Sequence, residues 1–89
     1  MNEAFRWNEW NLDHIAAHGI FPEQAEYIVR NAQPPYPENR GLSKWLVRGQ
    51  DQSGQFLQVV FVIEDDCYYV IHARRLTEHE KRQLRRRRR

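Results

Sequence analysis

The hydrophobic pattern changes its period near Ser43, and this change constrains the fold more than any other feature of the sequence. Before Ser43, small and apolar residues recur at intervals of three and four, which is typical of amphipathic helices. The two stripes are Leu12, Ile15, Ala16 and Gly19, and Ala25, Ile28, Val29 and Ala32. After it, apolar and polar residues alternate, which is typical of strands with one buried face. Helices followed by strands predict an α+β domain in which the helices cover one face of a mostly antiparallel sheet.

The element boundaries follow from the same periods and from turn-forming residues. Two helices are predicted, one over about residues 9–18 and one beginning at Pro22, with a corner at Gly19 between them. Residues 33–42 contain three prolines and one glycine, which predicts a loop. A C-terminal helix is expected to begin at Thr77. The four strands expected are residues 5–7, 43–49, 55–63 and 67–74.

The size and composition favour one small domain without a membrane span. A chain of 89 residues is too short to form two separate cores, so residues 1–80 are expected to form a single domain. No apolar run reaches the roughly 18 residues that a membrane span needs, and no secretory leader is expected. The single cysteine, Cys67, cannot form an internal disulfide, so we expect a cytoplasmic setting.

The positive charge of the chain is concentrated at its C-terminus. Residues 80–89 contain seven basic residues and one acid, Glu80, whereas residues 1–79 contain seven basic and eleven acidic residues. The net charge of +2 therefore hides a basic tail, residues 81–89, on a mildly acidic body. Such a tail favours binding to nucleic acid or to an acidic partner, and the alternative is a solvated end without a role of its own.

The sequence carries no complete motif for a cofactor or a metal. Its four glycines stand alone, so no glycine-rich phosphate loop is present, and no catalytic triad can be assembled. His14 and His18 are four residues apart on the first predicted helix, a spacing that suits two metal ligands, but no third ligand follows at a regular spacing. We therefore expect no cofactor and no metal.

The predicted strands have an apolar face and a cationic face. The apolar set should form the core beneath the two helices. It consists of Trp45, Val47, Leu57, Val59, Phe61, Ile63, Tyr69, Ile71 and Ala73. The other set mixes aliphatic residues with Lys44, Arg48, His72 and Arg74. This second face is either a half-exposed surface with long cationic side chains lying over apolar residues, or a basic surface that binds phosphate.

The last strand enters the final helix through a motif rich in charge. Arg74 and Arg75 end the strand, and Thr77 and Glu80 have the spacing of a capping box. Cations, a helix N-terminus, a histidine and a carboxylate would meet here, and metal-independent RNA cleavage needs a base, an acid and cations for the phosphate. The alternative is that Thr77 and Glu80 only cap the helix while the arginines pair with acids of the helical hairpin.

Three segments of the chain resemble the BrnT-type toxins, which are the ribonuclease half of bacterial type II toxin–antitoxin pairs and have a RelE-like fold. The segments are Phe5-Arg6-Trp7 followed by residues 14–20, residues 57–61, and residues 70–80 with the pattern Ala-Arg-Arg-x-Thr-x-x-Glu. The last segment is the most specific of the three. The chain departs from the family pattern at Asn8, His14 and His72 and carries terminal arginines that are not part of that pattern. These departures suit a divergent or solitary member of the family.

The resemblance implies a metal-independent endoribonuclease that inhibits translation by cutting RNA. A BrnA-like ribbon-helix-helix antitoxin would neutralise it, and the residues implied are Arg48, Arg74, Arg75, Thr77 and Glu80. The expected partners are thus RNA and the antitoxin, and no binding to a membrane is expected. Formation of a homodimer is left open by the sequence. The alternative function is a non-catalytic module of the same fold that binds RNA or the antitoxin.

Together, the residue patterns and the resemblance predict two overlapping sets of site residues. The catalytic set is Arg48, His72, Arg74, Arg75 and Glu80. The RNA-binding set is Lys44, Arg48, Arg74, Arg75, Thr77 and Arg82. In this hypothesis the arginines neutralise phosphate charge, while His72 or Glu80 moves protons.

Overall fold

The structure is a computed structural model that describes residues 4–87 and has the expected α+β class. Its elements in chain order are β1 (Ala4–Phe5), α1 (Glu9–Ala16), α2 (Pro22–Arg30), β2 (Glu38–Asn39), β3 (Lys44–Gln50), β4 (Phe56–Glu64), β5 (Cys67–Arg75) and α3 (Glu78–Arg87). The three long strands begin and end within one residue of the predicted positions. α2 and α3 begin within one residue of the positions predicted for them.

The sheet has the strand order β1-β5-β4-β3-β2. β1 is parallel to β5, and the other neighbouring pairs are antiparallel. The prediction of four strands is therefore wrong, because the described residues form a mixed sheet of five. The missed strand, β2, follows Pro37 in the proline-rich loop and pairs with β3 at the sheet edge. Two residues at a sheet edge give too weak a pattern to be recognised in the sequence. The prolines all come before Glu38, so both residues of β2 keep a backbone N–H group.

The hairpin between β4 and β5 uses a two-residue turn in a left-handed conformation. Asp65 and Asp66 have φ values of 51° and 60°, as a type I′ turn requires, and Glu64 pairs with Cys67 on either side of them. Gly54, with a φ of 88°, lies in the turn between β3 and β4. These tight connections fix the register of the three long strands.

A β-bulge decides which residues of β5 face the core. The register shifts between Val60 and Phe61, and Ile71 is the extra residue on β5. Because the insertion reverses the alternation, Val70 faces the core and is fully buried, whereas Tyr69 lies on the opposite face. The prediction that Tyr69 belongs to the core face is therefore wrong. Ile63, also predicted for the core, is 49% exposed near the end of β4, and Ile71 is only partly buried.

α1 and α2 cover one face of the sheet, with α1 against β5 and α2 against β3 and β4. Of the four residues in the predicted apolar stripe of the second helix, Ala25, Ile28 and Val29 are buried, and Ala32, just beyond α2, is partly buried against the core. These helices and the strands enclose the main core, which includes the fully buried Val47 and Val59.

α1 is two residues shorter than predicted and turns a different side toward the sheet. Ile15 is buried as expected, but Leu12 is exposed and the polar Asn11 is fully buried. The Asn11 side chain accepts a hydrogen bond from the backbone N–H of Asn8 and donates one to the carbonyl of Arg6. These bonds compensate for its lost hydration and fix the start of the helix.

α3 packs on the opposite face of the sheet, which we call the α3 face. The α3 face carries Leu46, Arg48, Phe56, Gln58, Val60, His72 and Arg74. Leu84 of α3 is 1% exposed, and Lys81 and Arg85 lie over the ring of Phe56. At the other end of α3, Arg87 donates a hydrogen bond to Glu38 of β2.

The position of α3 changes one expectation, because it partly closes the sheet face that the helical hairpin leaves uncovered. Residues 81–87 of the basic segment, expected as a helix end or tail, continue α3, and most of them are exposed. Residues 88 and 89 lie outside the described part of the chain.

Candidate functional site

Three adjacent strands bring Arg48, Gln58 and Arg74 side by side on the α3 face. Arg48 is paired in register with Gln58, which is paired with Arg74, so the three side chains share one face. The Gln58 Oε1 atom accepts hydrogen bonds from Arg48 at 3.0 Å and from Arg74 at 3.4 Å. Glu80 of α3 accepts two bonds of 2.8 Å from Arg74 and one of 3.3 Å from Arg48. The structure thus brings Arg48, Arg74 and Glu80 into one cluster, which we call the Glu80 cluster.

Glu80 also caps the helix that carries it. Its Oε1 atom accepts the backbone N–H of Thr77 at 2.8 Å, and the Thr77 hydroxyl accepts the backbone N–H of Glu80 at 3.2 Å. The bonds from Arg74, opposed by burial and aided by Thr77 and by the charge of Arg48, lower the pKa of Glu80 from 4.5 to about 2. At neutral pH this carboxylate only accepts hydrogen bonds. Glu80 therefore holds arginines in place, and the proton-transfer role expected for it has no support in this arrangement.

The Glu80 cluster is mostly shielded from solvent. The side chains of Arg48, Glu80 and Arg74 are 14%, 16% and 30% exposed. Because Arg74 forms a two-pronged pair with the carboxylate, a phosphate group must share or displace Glu80 before it can bind that guanidinium. Arg48 and Arg74 are therefore assembled but occupied.

Two imidazole rings meet where α1 ends beside β5. The rings of His18 and His72 lie 5.4 Å apart between centroids at an angle of 70°. Burial, together with the nearby His18, Arg74 and His14, lowers the pKa of His72 below its usual 6.5. His72 is therefore neutral at pH 7 and able to accept a proton. Its ring shares the α3 face with Arg74, two residues further along β5.

A row of planar side chains extends from these histidines along α1. The rings of Trp10 and His14 stack at 4.0 Å, those of Trp10 and Tyr69 are nearly parallel at 6.2 Å, and the guanidinium of Arg6 lies 4.6 Å from the centre of the Tyr69 ring. Trp10 keeps 50% of its surface exposed. We call this row, Arg6, Tyr69, Trp10 and His14, the aromatic row, and planar surfaces of this kind suit the stacking of nucleobases.

The remaining predicted residues lie apart from the Glu80 cluster. Arg75 follows Arg74 in a strand and so points to the other face, where its Nη1 atom lies 3.5 Å from the carbonyl oxygen of His18. Lys44 is exposed and lies four residues before Arg48 on β3, about 13 Å away along the strand. Arg82 is exposed on α3. Of these three, only Arg75 lies beside the histidine pair.

An open cleft of about 460 Å³ lies between α3 and the edge formed by β2 and β3. It is lined by Glu38, Arg40, Leu46, Arg48, Gln83, Arg86 and Arg87. Arg48 is common to this cleft and to the Glu80 cluster. Arg48 and Arg74 are therefore paired with a carboxylate, but a cationic hollow opens directly beside Arg48.

Sequence reasoning missed His18 and the aromatic row as parts of the site. Trp10 and His14 are four residues apart on one side of α1, and His18 follows at the same spacing just beyond the helix. In the sequence, the spacing of His14 and His18 suggests only a metal pair, and the apolar stripe through Leu12 favours a different orientation of the helix. The bulge in β5, which turns Tyr69 toward Trp10, leaves no clear mark in the sequence.

Comparisons with protein-family models, with curated proteins and with solved structures give no match for the chain. Among residues 4–87, no helix combines the length and the apolar character that crossing a membrane demands. In the same part of the chain, no three His, Cys, Asp or Glu side chains are grouped so that they could hold a metal ion. Function is therefore inferred from the geometry of the site itself.

Proposed function

We propose that the chain is a metal-independent endoribonuclease that acts as the toxin of a type II toxin–antitoxin pair of the BrnT kind. The observation that carries this proposal is the His18–His72 pair, with its centroids 5.4 Å apart, next to the guanidinium groups of Arg74 and Arg75. Two imidazoles beside fixed cations supply the base, the acid and the charge that RNA cleavage needs.

In the proposed reaction the 2′-hydroxyl oxygen of one nucleotide attacks the adjacent phosphorus atom. The neutral His72 accepts the hydroxyl proton as the bond from O2′ to phosphorus forms. The bond from phosphorus to the 5′ oxygen of the next nucleotide breaks, and that oxygen takes a proton from a protonated His18. The products are a 2′,3′-cyclic phosphate and a 5′-hydroxyl end, with all protons accounted for.

The arginines and the aromatic row would bind the substrate around this step. Arg74 would stabilise the extra charge on the phosphate after the phosphate shares or displaces Glu80. Arg75, which reaches His18 from the other face of β5, would add a second cation beside the histidine pair. Trp10, half exposed in the aromatic row, would stack against a base of a single-stranded segment. A base that is splayed out in this way leaves its phosphate accessible to the histidine pair.

The biological setting belongs to the same proposal. Cleavage of RNA would inhibit translation, and a BrnA-like antitoxin would suppress it by covering the site in the cytoplasm. The unpaired thiol of Cys67 is compatible with that reducing compartment.

One observation favours the alternative of a non-catalytic module that binds RNA or an antitoxin. Arg48 and Arg74, two of the expected catalytic arginines, are bonded to Glu80 and largely shielded. In such a module these residues would stabilise α3, and the exposed cations alone would bind the partner.

The two functions are separated by incubating the purified chain with single-stranded RNA and analysing the ends formed. We expect cuts that leave cyclic phosphate ends, and we expect His72→Ala to slow them about 10²- to 10⁴-fold. His79→Ala is the matched control, because His79 is an exposed histidine on α3 outside the His18–His72 pair. Arg74→Gln and Arg75→Gln are expected to lose activity, whereas Arg30→Gln on α2 is not.

The variants must first give the circular dichroism spectrum and melting behaviour of a folded domain. If folded Arg74→Gln and Arg75→Gln proteins cut RNA as well as the parent, the proposed site is wrong. RNA that is bound but never cut by the parent chain would favour the binding module.

A further inference from the structure

We propose that the cleft between α3 and the β2–β3 edge binds the phosphate backbone of single-stranded RNA, away from the cut position. This inference rests on the proposed function for the identity of the strand, and it adds a second binding site to the one around the histidines. It predicts that the chain holds a longer segment of RNA than the cleaved step alone.

The charge of the cleft is strongly one-sided. Four arginines line it, Arg40, Arg48, Arg86 and Arg87, against one lining carboxylate, Glu38, and Arg48 is also paired with Glu80 of the Glu80 cluster. That carboxylate is shared, because it contacts Arg87 and lies 3.6 Å from Arg40. Within residues 4–87, no carboxylate pairs with Arg86. Guanidinium groups around a hollow with too few carboxylates match the oxygen atoms of phosphate in charge and in geometry.

The position of the cleft favours a nucleic acid backbone over an isolated anion. Arg48 lies at the boundary between the cleft and the Glu80 cluster, where Arg74 continues the cations toward the histidines. Arg48 and Arg74 stand two strands apart, about 10 Å between their backbones, and His72 lies two residues before Arg74 on β5. The cations thus form a line from the cleft to the histidine pair, as a chain of phosphates requires.

The character of the lining also argues against an apolar peptide as the occupant. Leu46 is the single aliphatic residue of the lining, and it is 3% exposed. Gln83 adds an amide that can donate to phosphate oxygens. A protein segment that binds tightly usually inserts apolar side chains into apolar pockets. This lining offers such side chains only the buried Leu46 to contact.

Arg40 and Arg86 are the residues that test the site without disturbing the fold. Both are exposed, and neither is bonded in the Glu80 cluster. Arg87 is less suitable because it lies 5.4 Å from the ring centre of Tyr36 and contacts Glu38, so its loss would also loosen α3. Substitution by glutamine removes the positive charge of arginine and keeps a long polar side chain.

The experiment measures binding of a fluorescent 2′-O-methyl oligonucleotide, which has no 2′-hydroxyl and cannot be cut. Affinity is followed by anisotropy as a function of salt for the parent chain, Arg40→Gln, Arg86→Gln and the double variant. Each lost phosphate contact should reduce the slope of log affinity against log salt by about 0.7, and should weaken binding about fivefold near 0.1 M salt. The double variant should lose about twice as much slope.

Arg30→Gln is the control for the loss of one positive charge, since Arg30 lies on α2 outside the cleft. An equal change of slope in Arg30→Gln would mean that only the overall charge matters, and it would overturn the proposal. The same conclusion follows if polyglutamate of matched charge displaces the oligonucleotide equally well, or if inorganic phosphate occupies the cleft as tightly as the strand.

The outcome is independent of cleavage because the probe cannot react. If the parent chain cuts RNA but Arg40→Gln and Arg86→Gln bind the probe normally, the cleft proposal fails while the nuclease proposal stands. If the two variants lose slope and the chain never cuts RNA, the cleft is a binding site of a non-catalytic module.

Discussion

Replacing Glu80 by glutamine should destabilise the domain strongly at neutral pH and only weakly in acid. Glutamine keeps the shape of the side chain and an oxygen that can accept the Thr77 N–H, so the change isolates the negative charge. That charge holds Arg74 by two bonds and Arg48 by one, across α3, β5 and β3. Its removal leaves two shielded guanidinium groups without a counter-charge.

The size of the effect follows from the pKa of Glu80, which the folded state lowers from 4.5 to about 2. A displacement of this size corresponds to about 3 kcal/mol of stability at neutral pH. Because the cluster keeps some contact with water, we expect about 2 kcal/mol to be measured. For a domain of this size that loss lowers the melting temperature by roughly 8–16 °C.

The sign of the pH dependence is set by the depressed pKa. The stabilising contribution of Glu80 is complete above its unfolded value of 4.5 and is lost as the pH falls toward about 2. Urea unfolding of the parent and of Glu80→Gln, followed by circular dichroism between pH 7 and pH 3, measures the difference. The gap between the two proteins should be largest at pH 7 and less than half as large at pH 3.

A matched control comes from the same turn of α3. Glu78 is an exposed carboxylate that pairs with Lys81, so Glu78→Gln removes one charge near the helix N-terminus without touching Arg48 or Arg74. We expect little change in its unfolding curve. If Glu80→Gln unfolds like Glu78→Gln at pH 7, or if its deficit is the same at pH 3, the cluster does not stabilise the fold as described.

Three further predictions address the docking of α3, the start of α1 and the aromatic row. Leu84→Ala should lower the free energy of unfolding in urea by about 3 kcal/mol, since Leu84 is buried, whereas Leu42→Ala at a 91% exposed site should change it by less than about 0.5 kcal/mol. Asn11→Ala should cost about 1–2 kcal/mol in a thermal melt, since it removes the side chain that bonds Asn8 and Arg6, and an unchanged melt would contradict the role of that cap. Trp10→Ala should weaken binding of single-stranded RNA about 5- to 100-fold in an anisotropy titration while Trp10→Phe keeps most of the affinity, and equal losses in both would argue against stacking.

The parts of the fold that could be predicted from sequence are those with a repeated pattern. The alternation through β3 and β4 and the stripe of Ala25, Ile28 and Val29 in α2 each contain several agreeing residues. The parts that could not be predicted depend on one residue or on a distant partner. β2 has two residues, and the bulge at Ile71 changes the face of the preceding part of β5 without a marker such as glycine.

The candidate site follows the same division. The approach of Arg48 to Arg74 could be predicted because their parity places both on one face of the sheet, on the two strands that flank β4. The pairing of Glu80 with Arg48 and Arg74 could not be predicted, because it depends on how α3 docks on the sheet. That docking buries Leu84, one apolar residue in a strongly charged helix. The pairing of His18 with His72 depends on the tertiary contact between α1 and β5, which local sequence does not report.

The parallel pairing of β1 with β5 has a consequence for synthesis on the ribosome. Ala4 and Phe5 meet Cys67 and Tyr68, so the first strand must wait for its partner until the last strand has been translated and has left the exit tunnel. The histidine pair joins the same two distant parts of the chain. A nascent polypeptide would therefore carry an unassembled histidine pair until β5 has left the ribosome.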